Sequence, residues 1–414
     1  MKVVVIGGGV IGLCCAYYLQ KAGNTVTVIE KSDLTNSCSF GNLGYVSPSH
    51  FVPLATPGII SQGMKWMLSA SSPFYIKPRL NMDLINWGLT FWKSATAKNV
   101  ANAAPHLNNL LQLSRSLMGE LKDELPNAFD FTEKGVWMLY KSNKTGDHEK
   151  HLAEQANGYG LKTVICNNAQ VQDYETEVEV NVAGGVLYID DAHLDPKKFM
   201  ESLYGQLKNK GVQFLLNSEV VDFEHNNGSI NKVITNGVDV DCDEVVIANG
   251  SWMQNISKLL GIDILMQPGK GYSMEYNDVQ HNLQYPSILV DDRVATAPIN
   301  KWLRIGGTME LSGHSDTVLP KRVKSIYTAF KKYYPTLAIG SPNTDEIWFG
   351  YRPVSPDGVP YIGRHNSYKN LCYAGGHAML GISAAAGTGK LIAEIINGEK
   401  VSIETNAFNP ARKL

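Results

Sequence analysis

Two glycine-rich segments almost a whole chain apart constrain the fold more than any other feature of this sequence. Residues 7–12 read GGGVIG, follow the apolar run 3–6 and precede a helix-like run over 13–20. This order of strand, glycine turn and helix is the context in which Gly-x-Gly-x-x-Gly indicates dinucleotide binding. Residues 375–381 read GGHAMLG and lie near the end of the 414-residue chain. Together the two segments predict a dinucleotide that is held at both ends.

Each glycine of the first pattern has a physical role in that prediction. Gly7 allows a tight turn from strand to helix, Gly9 lets a pyrophosphate approach the backbone, and Gly12 lets the helix pack closely on the strand. Backbone amides at the start of the helix donate hydrogen bonds to phosphate oxygens. We therefore predict cofactor contacts at these glycines and at Val10 and Ile11.

The next predicted strand, 25–29, ends at an acidic residue that suits a ribose. Glu30 follows Gly12 by eighteen residues, and its carboxylate can accept hydrogen bonds from a ribose diol while repelling a 2′-phosphate. Lys31 beside it is a further predicted cofactor contact. Two alternatives are that the glycines only shape a tight turn, or that 3–19 is a signal peptide or membrane anchor. No small-residue cleavage pattern follows that run, and its glycines suit a membrane span poorly.

Composition favours a soluble, cytoplasmic globular protein. The chain is 44% hydrophobic and 18% charged, with a formal net charge of −2, so no nucleic-acid partner is indicated. Six cysteines occur without Cys-x-x-Cys spacing, so the sequence predicts neither a metal site nor a disulfide framework. Cys14 and Cys15 fall inside the first helix, where we expect them to pack in the core.

The order of predicted elements indicates two interleaved units. A βαβ start is followed by a helix with one apolar face over 107–121 and a strand over 135–140. A helix then begins at Pro196, and strands follow over 212–248, 271–275 and 303–306. A long helix over 383–396 closes the chain. Such an order predicts one sheet assembled from distant segments and a second sheet built from insertions.

An unusually apolar connection occupies residues 48–94. Its spacing identifies neither an amphipathic helix nor a basic cluster, so three interpretations stay open: a membrane-surface contact, a cover over the active site, or an oligomer surface. Its large apolar residues are Ile59, Ile60, Met64, Trp66, Met67, Phe74, Tyr75, Trp87, Phe91 and Trp92.

Seven short segments, in their order along nearly the whole chain, resemble the D-amino-acid dehydrogenase branch of the FAD-dependent D-amino-acid oxidase superfamily. They are 4–9 (VVIGGG), 39–44 (SFGNLG), 268–273 (PGKGYS), 304–308 (RIGGT), 351–353 (YRP), 356–358 (PDG) and 376–381 (GHAMLG). The resemblance implies an α/β fold in which a Rossmann-like domain that binds FAD noncovalently is intertwined with a mixed-sheet α+β substrate domain. The expected FAD-binding domain comprises 1–47, 186–265 and 345–414, and the expected substrate domain comprises 48–185 and 266–344.

The resemblance also implies further cofactor contacts. In the loop after the second strand these are Ser39, Asn42 and Leu43. The backbone at Val221, or at its neighbour Val220, is expected to contact adenine. The remaining expected contacts are Gly250, Gly376, Gly381 and Ile382. From the residues themselves, we expect the glycines of 375–381 to let a flat ring approach the backbone. Ser383 is expected to cap the last helix, whose positive end would stabilise negative charge on the reduced ring.

Three residues are the candidate catalytic group. Arg352 matches the arginine that grips a substrate carboxylate in the family, and a guanidinium fork suits that group. Tyr272 is expected to line the same pocket, and His377 is either catalytic or a structural hydrogen-bonding residue. The segment 295–298 lacks the substrate-binding tyrosine of eukaryotic-type relatives, which leaves a second carboxylate anchor open. No cysteine occurs in 351–363, where sarcosine-oxidase-like relatives attach flavin covalently.

The chemistry that the resemblance implies is oxidative deamination of D-amino acids in amino-acid catabolism. A hydride passes from Cα to flavin N5, and the imino acid hydrolyses to a 2-oxo acid and ammonia. Electrons then pass to a quinone or another carrier, with peripheral contact to the inner face of the cytoplasmic membrane as an open option. The alternatives are a D-proline or 4-hydroxy-D-proline dehydrogenase, a glycine- or sarcosine-type oxidase, and a noncatalytic flavin-binding subunit.

Overall fold

The protein was analysed as a computed structural model that describes residues 1–61, 63, 72–125 and 129–414. Met64, Trp66 and Met67 of the apolar connection lie outside these residues. The described helices are α1 (Val10–Lys21), α2 (Met82–Ser94), α3 (Ala97–Glu124), α4 (Asn143–Gly158), α5 (Asn168–Tyr174), α6 (Pro196–Asn209), α7 (Met253–Leu259), α8 (Pro320–Tyr333) and α9 (Gly381–Asn397).

The described strands form two large sheets, a three-stranded sheet and a short two-stranded ladder. They are β1 (Lys2–Ile6), β2 (Thr25–Ile29), β3 (Tyr45–Val46), β4 (Phe74–Ile76), β5 (Val136–Tyr140), β6 (Thr163–Asn167), β7 (Gly184–Tyr188), β8 (Ala192–His193), β9 (Gln213–Leu215), β10 (Val220–Asn226), β11 (Ser229–Thr235), β12 (Val240–Asp241), β13 (Glu244–Ile247), β14 (Gln267–Tyr276), β15 (Ser287–Leu289), β16 (Val294–Ile299), β17 (Trp302–Leu311), β18 (Trp348–Val354), β19 (Tyr361–Arg364) and β20 (Leu371–Gly375).

The first large sheet has the order β19-β20-β13-β1-β2-β9 and is parallel except at β19. Its central strand β1 is buried after its first residue, as expected for a parallel sheet that is covered on both faces. The strand–glycine–helix start therefore forms the centre of a Rossmann-like sheet, as the sequence predicts. Gly23 follows α1 at φ +84°, a left-handed conformation that is typical of the residue just after a helix.

Helices α1, α3 and α9 pack together on one face of this sheet, and α9 requires its interior glycines. A Cβ at Gly389 would lie 2.5 Å from the backbone of Cys14, and one at Gly387 would lie 3.1 Å from the carbonyl oxygen of Leu110. Cys14 and Cys15 are fully buried, which confirms that they are packing residues. The helix-weakening glycines of α9 thus allow the close approach of two neighbouring helices.

The second large sheet is mixed and has the order β18-β14-β17-β16-β15-β5-β7-β6, with β4 paired to β17. One of its faces packs on α8 and encloses a buried charge network. Glu310 lies 3.6 Å from Lys270 and 3.3 Å from Arg322, and all three side chains are at most 3% exposed. The other face points toward the Rossmann-like sheet. The predicted α/β fold with a second, mixed sheet is confirmed.

Sheet membership moves two of the predicted domain boundaries. The predicted FAD-binding segments begin at 186 and 345. Strand β7 contains residue 186, strand β18 begins just after residue 345, and both strands belong to the mixed sheet. The chain therefore returns to the Rossmann-like sheet later than expected, after Tyr188 and after Val354. The domain boundaries depend on which strands pair, and the local sequence does not indicate pairing between distant segments.

Candidate active site

A cavity of about 1360 Å³ lies between the Rossmann-like sheet and the mixed sheet. Its volume exceeds the roughly 300–1,000 Å³ of ordinary small-molecule sites, so it has room for a large ligand and a second, smaller one. Both glycine-rich segments contribute to its lining. The fold therefore brings the two ends of the sequence to one site, as their patterns predict.

The turn after β1 forms one end of the cavity. Gly7 has φ +110°, a conformation that favours glycine, and a Cβ at Gly12 would lie only 1.9 Å from the carbonyl oxygen of Gly7. These two glycines are therefore required by the turn itself and by the packing of α1 on it. A Cβ at Gly9 would meet only the Ser39 hydroxyl, at 3.5 Å, so this position leaves space for a ligand to approach the backbone.

The Glu30 carboxylate is fixed beside that turn. It accepts hydrogen bonds from the Gly8 amide at 2.7 Å and from the amide and hydroxyl of Ser32, both at 2.9 Å. Its neighbour Lys31 pairs with Glu219 at 2.7 Å. Both residues line the cavity, which is the position that the ribose assignment requires.

The loop over residues 39–44 lies next to the turn after β1. The Ser39 hydroxyl accepts a hydrogen bond from the Val10 amide at 3.0 Å, at the start of α1. The Asn42 amide group donates to the Ser39 carbonyl and accepts from the Gly44 amide at 2.7 Å. The Asn42 side chain therefore holds the loop in shape. Asn42 and Leu43 line the cavity, and their contact with a cofactor stays a prediction.

The C-terminal glycine segment forms the opposite wall. Gly376 has φ +79°, and a Cβ at Gly381 would meet no atom within 4 Å, so the backbone is open at the start of α9. The expected capping role of Ser383 is wrong. Leu380 is the N-cap, and the Ser383 hydroxyl donates to the Tyr45 carbonyl at 2.8 Å and accepts from the Ser47 amide at 3.0 Å. The first amides of α9 thus have no side-chain cap.

Arg352 on β18 is the principal charged residue of the mixed-sheet side. Its Nη1 donates to the Thr308 carbonyl at 2.9 Å, and no carboxylate of the described residues lies within 4.0 Å of its guanidinium. Burial without an anionic partner lowers the pKa of Arg352 to about 10. A Cβ at Gly271 would lie 2.0 Å from Nη1, so the glycine of the KGYS segment makes space for this side chain. The site therefore presents a cation that lacks its anion.

The comparisons with known proteins agree with this geometry. The model of the FAD dependent oxidoreductase family matches residues 2–395. The chain belongs to this family. A D-amino acid dehydrogenase from Helicobacter pylori is 34% identical over 397 residues, which cover 95% of this chain and 94% of that relative. The fold is similar to that of glycine oxidase from Geobacillus kaustophilus, with a TM-score of 0.79, 20% identity and coverage of 100% and 99%.

An L-alpha-glycerophosphate oxidase from Mycoplasma pneumoniae with FAD bound shares the fold as well, with a TM-score of 0.72 and 17% identity over 100% of this chain and 98% of that one.

The cofactor of the present protein, as a member of the FAD dependent oxidoreductase family, is FAD, and the residues that line the cavity fit it. Several buried polar atoms of cavity-lining residues have no hydrogen-bond partner among the described residues, including Asn249 Oδ1, Thr308 Oγ1 and His377 Nδ1. Together with the open glycine backbone at both ends, they provide donors and acceptors for a polar cofactor.

Most of the residues predicted to bind FAD line this cavity. They are Gly7, Gly9, Val10, Ile11, Glu30, Lys31, Ser39, Asn42, Leu43, Gly250, Gly381 and Ile382. Gly12, Gly376 and Val221 are not part of the lining. Gly12 acts through packing, and the Val221 side chain is 45% exposed, while Val220 does line the cavity. At the expected adenine contact, Val220 therefore has better geometric support than Val221.

Tyr272 is among the residues that line the cavity, as predicted, but its hydroxyl does not face the substrate side. The side chain points into the core on the far face of the mixed sheet, where the hydroxyl donates to Glu310 at 2.8 Å and accepts from the Leu319 amide at 3.3 Å. Side chains alternate along a strand, so Tyr272 and its neighbour Gly271 face opposite sides. We therefore withdraw Tyr272 as a catalytic candidate.

His377 is a buried, uncharged residue in this structure. Its Nε2 lies 2.9 Å from the Thr388 hydroxyl in α9, and burial lowers the pKa of the imidazole to about 3. It therefore stays neutral near pH 7, which favours the structural interpretation. Nδ1 has no partner among the described residues and remains available to a ligand.

Trp87 and Phe91 support the active-site cover, one of the three interpretations left open for the apolar connection, while other cavity residues were not predicted as part of the site. Trp87 and Phe91 of α2 stack with ring centroids 4.9 Å apart and cover the cavity, and the Trp87 indole donates to the Val354 carbonyl at 2.9 Å. Glu149 on α4 and His50 in the apolar connection also line it. The aromatic pair was visible in the sequence, but nothing local distinguishes a cavity cover from an exposed apolar surface.

Proposed function

We propose that this FAD-dependent oxidoreductase oxidises the Cα–N bond of D-amino acids, releasing an imino acid that hydrolyses to a 2-oxo acid and ammonia. The observation that carries the proposal is Arg352, a half-buried guanidinium that lines the FAD cavity and has no acidic partner among the described residues. The D-configuration follows the name of the Helicobacter pylori relative. Bound FAD supplies the two-electron acceptor for the hydride.

The protein's own contribution is binding and orientation. The Thr308 carbonyl and the space above Gly271 fix the guanidinium of Arg352, which can hold a carboxylate with two parallel hydrogen bonds. Anchoring the carboxylate places Cα at a defined distance from the cavity wall, and such positioning lowers the barrier of a hydride transfer. Trp87, Phe91 and Ile59 form an apolar cover that limits the access of water to that position.

A dye-linked activity assay tests this function. The purified protein, loaded with FAD, is supplied with D-alanine, L-alanine, glycine or sarcosine, and the 2-oxo acid and ammonia are measured. We expect equal amounts of both products from D-alanine and none from L-alanine. Formation of hydrogen peroxide from glycine or sarcosine in air would instead support the oxidase alternative. A protein that forms no product from any amino acid would refute the proposal.

We also propose that the electron acceptor is a membrane quinone and that α2 contacts the membrane surface. Exposed apolar side chains, 41% to 103% accessible, follow one another at helical spacing on and just before α2: Leu80, Met82, Ile85, Leu89 and Trp92. The opposite side of the same helix carries Trp87 and Phe91, which cover the cavity. No described helix is long and apolar enough to cross a bilayer, so the contact would be peripheral.

Flotation with vesicles that contain anionic lipid and quinone tests this contact. The triple variant Ile85→Ser, Leu89→Ser and Trp92→Ser should lose vesicle binding and quinone-linked turnover while keeping dye-linked turnover. Val238→Ser, which removes an apolar side chain that is 64% exposed on a distant hairpin, is the matched control. Equal flotation of the triple variant and the control would refute the membrane contact.

A further inference from the structure

Glu149 is a buried carboxylate at one end of the cavity, among apolar residues and near the charged Arg293. It lies on the inner face of α4 and is only 6% exposed, and the cavity around it is lined by Met138, Leu152, Tyr188 and Val290. Buried acidic residues are rare unless they are paired. In the part of the chain that the structure describes, no hydrogen bond or ion pair of 4.0 Å or less involves the Glu149 carboxylate.

The electrostatic surroundings of Glu149 are consistent with that geometry. Desolvation raises the pKa of Glu149 to about 7; the Arg293 charge acts in the opposite direction, and the Asp291 charge raises the pKa further. An ionisable group that is shifted in this way beside a substrate cavity is a functional-site candidate. A structural role gives no reason for a carboxylate at this position, because an aliphatic side chain would pack there without the desolvation cost.

Glu149 and Arg352 stand over the same face of the mixed sheet. Directly paired residues point to the same side, and the register connects Gly306 to Ala295, Ala295 to Ile288, and Ile288 to Met138. All four residues line the cavity, and they form a row that crosses β17, β16, β15 and β5. The Arg352 guanidinium bonds the Thr308 carbonyl, two residues along β17 from Gly306, and Glu149 lies on α4, which packs on β5 and β7.

The length of this row limits the ligand that could contact both charges. Three strand spacings of about 4.8 Å give about 14 Å between the two ends of the row. A ligand that contacts charged groups near both ends must therefore be elongated. A lysine-type amino acid, with six bonds between its carboxylate carbon and its side-chain nitrogen, is such a ligand.

We infer that Glu149 is a specificity residue that selects amino acids whose side chain ends in a primary ammonium group, with Arg352 holding the α-carboxylate at the other end of the row. This inference rests on the proposed amino-acid oxidation. The ammonium provides the cation that the buried carboxylate lacks, and the carboxylate of the same ligand provides the anion that Arg352 lacks. One extended diamino acid therefore satisfies both ends of the cavity.

The test compares two substrates of matched length. D-Lysine and D-norleucine differ at the end of the side chain, and kcat/KM for the FAD-loaded protein is measured with each. We expect the wild type to prefer D-lysine by about tenfold or more, since a site built for a polar group rejects the analogue that lacks it. Glu149→Gln and Glu149→Leu should each reduce this ratio by about tenfold while D-norleucine turnover stays within about threefold. Glu154→Gln, on the exposed side of α4, is the matched control.

A binding measurement separates this inference from the proposed function. The Kd of 6-aminohexanoate and that of hexanoate are read from the flavin spectrum without turnover. Tighter binding of the amine, lost in Glu149→Leu and kept in Glu154→Gln, supports the role of Glu149 even if no amino acid is oxidised. A wild type that prefers neither D-lysine nor 6-aminohexanoate overturns the inference, and so does an unchanged preference in both Glu149 variants. Turnover of D-alanine in either case leaves the proposed function intact.

Discussion

Replacing Arg352 by methionine should abolish efficient turnover and at the same time leave the fold as stable or more stable. Methionine fills a similar volume with an unbranched apolar chain but has no donor for a carboxylate. The substrate would lose two charge-assisted hydrogen bonds, at about 1.5–3 kcal/mol each. A total of about 3–6 kcal/mol corresponds to a loss of about 10²- to 10⁴-fold in kcat/KM.

The same substitution, Arg352→Met, should stabilise the fold although it lowers the activity. Burial lowers the pKa of Arg352 to about 10, well below its ordinary value, so the charged form is less favourable in the folded protein than in the unfolded chain, by about 3 kcal/mol. This penalty is present in full below pH 10 and decreases as the pH rises above that value toward the ordinary pKa of arginine. Removing the charge removes this penalty and so stabilises the fold. Loss of the hydrogen bond to the Thr308 carbonyl destabilises the fold by about 1 kcal/mol or more, which offsets part of that gain. With an unfolding entropy of about 2.1 cal/mol/K per residue, we expect a Tm higher by about 2 °C for the FAD-free protein.

The assays are dye-linked kinetics with D-alanine and thermal unfolding of the FAD-free protein, each compared with wild type. FAD content after purification shows whether the cofactor site is intact. A variant that keeps its kcat/KM would remove Arg352 from the substrate site. A Tm lower by about 5 °C or more, with FAD binding also lost, would show that the guanidinium is structural and would contradict the reasoning from its missing partner.

Three further predictions concern the cofactor and the buried acids. Gly9→Val should expel FAD, because a side chain would occupy the phosphate approach; full flavin occupancy would show that the pyrophosphate lies elsewhere. The control is Gly205→Val on α6, where a Cβ would meet no atom within 4 Å. Glu30→Ala should weaken FAD affinity by about tenfold or more in a fluorescence titration, through loss of a charged acceptor; an unchanged Kd would contradict the ribose assignment. Asp191, bonded to Ser49 at 2.6 Å, has its pKa raised by burial to about 7, so its ionised form destabilises the fold increasingly from about pH 4 to pH 7. The Tm of Asp191→Asn relative to wild type should therefore rise by about 3 °C between pH 5 and pH 8, and a constant difference would refute that assignment.

The cofactor end of the site could be predicted from sequence because its determinants are local. The turn at Gly7, the close packing at Gly12 and the position of Glu30 after β2 are all fixed by neighbours within one βαβ unit. The predicted helix after Gly381 and the core positions of Cys14 and Cys15 follow from periodicity in the same way.

The substrate end of the site could be predicted only in part, because the positions of its side chains depend on how distant segments of the chain pair and pack. Tyr272 and Gly271 are adjacent in sequence, yet strand alternation turns the tyrosine into the core and gives the space above the glycine to Arg352. Ser383 fits the sequence preference for a cap, but its hydroxyl is bonded to the backbone of Tyr45 and Ser47. Glu149 carries no local signal at all, since only the register of four strands brings it into line with Arg352.

An anaerobic visible spectrum of the FAD-loaded protein during titration with D-alanine is the most direct test of the central claim. If the chain holds an amino-acid carboxylate on Arg352 and passes the α-hydrogen to FAD, the yellow flavin band must bleach with D-alanine and stay unchanged with L-alanine. A band that no amino acid bleaches would contradict amino-acid oxidation, and a protein that binds no FAD would contradict the assignment of the cavity itself.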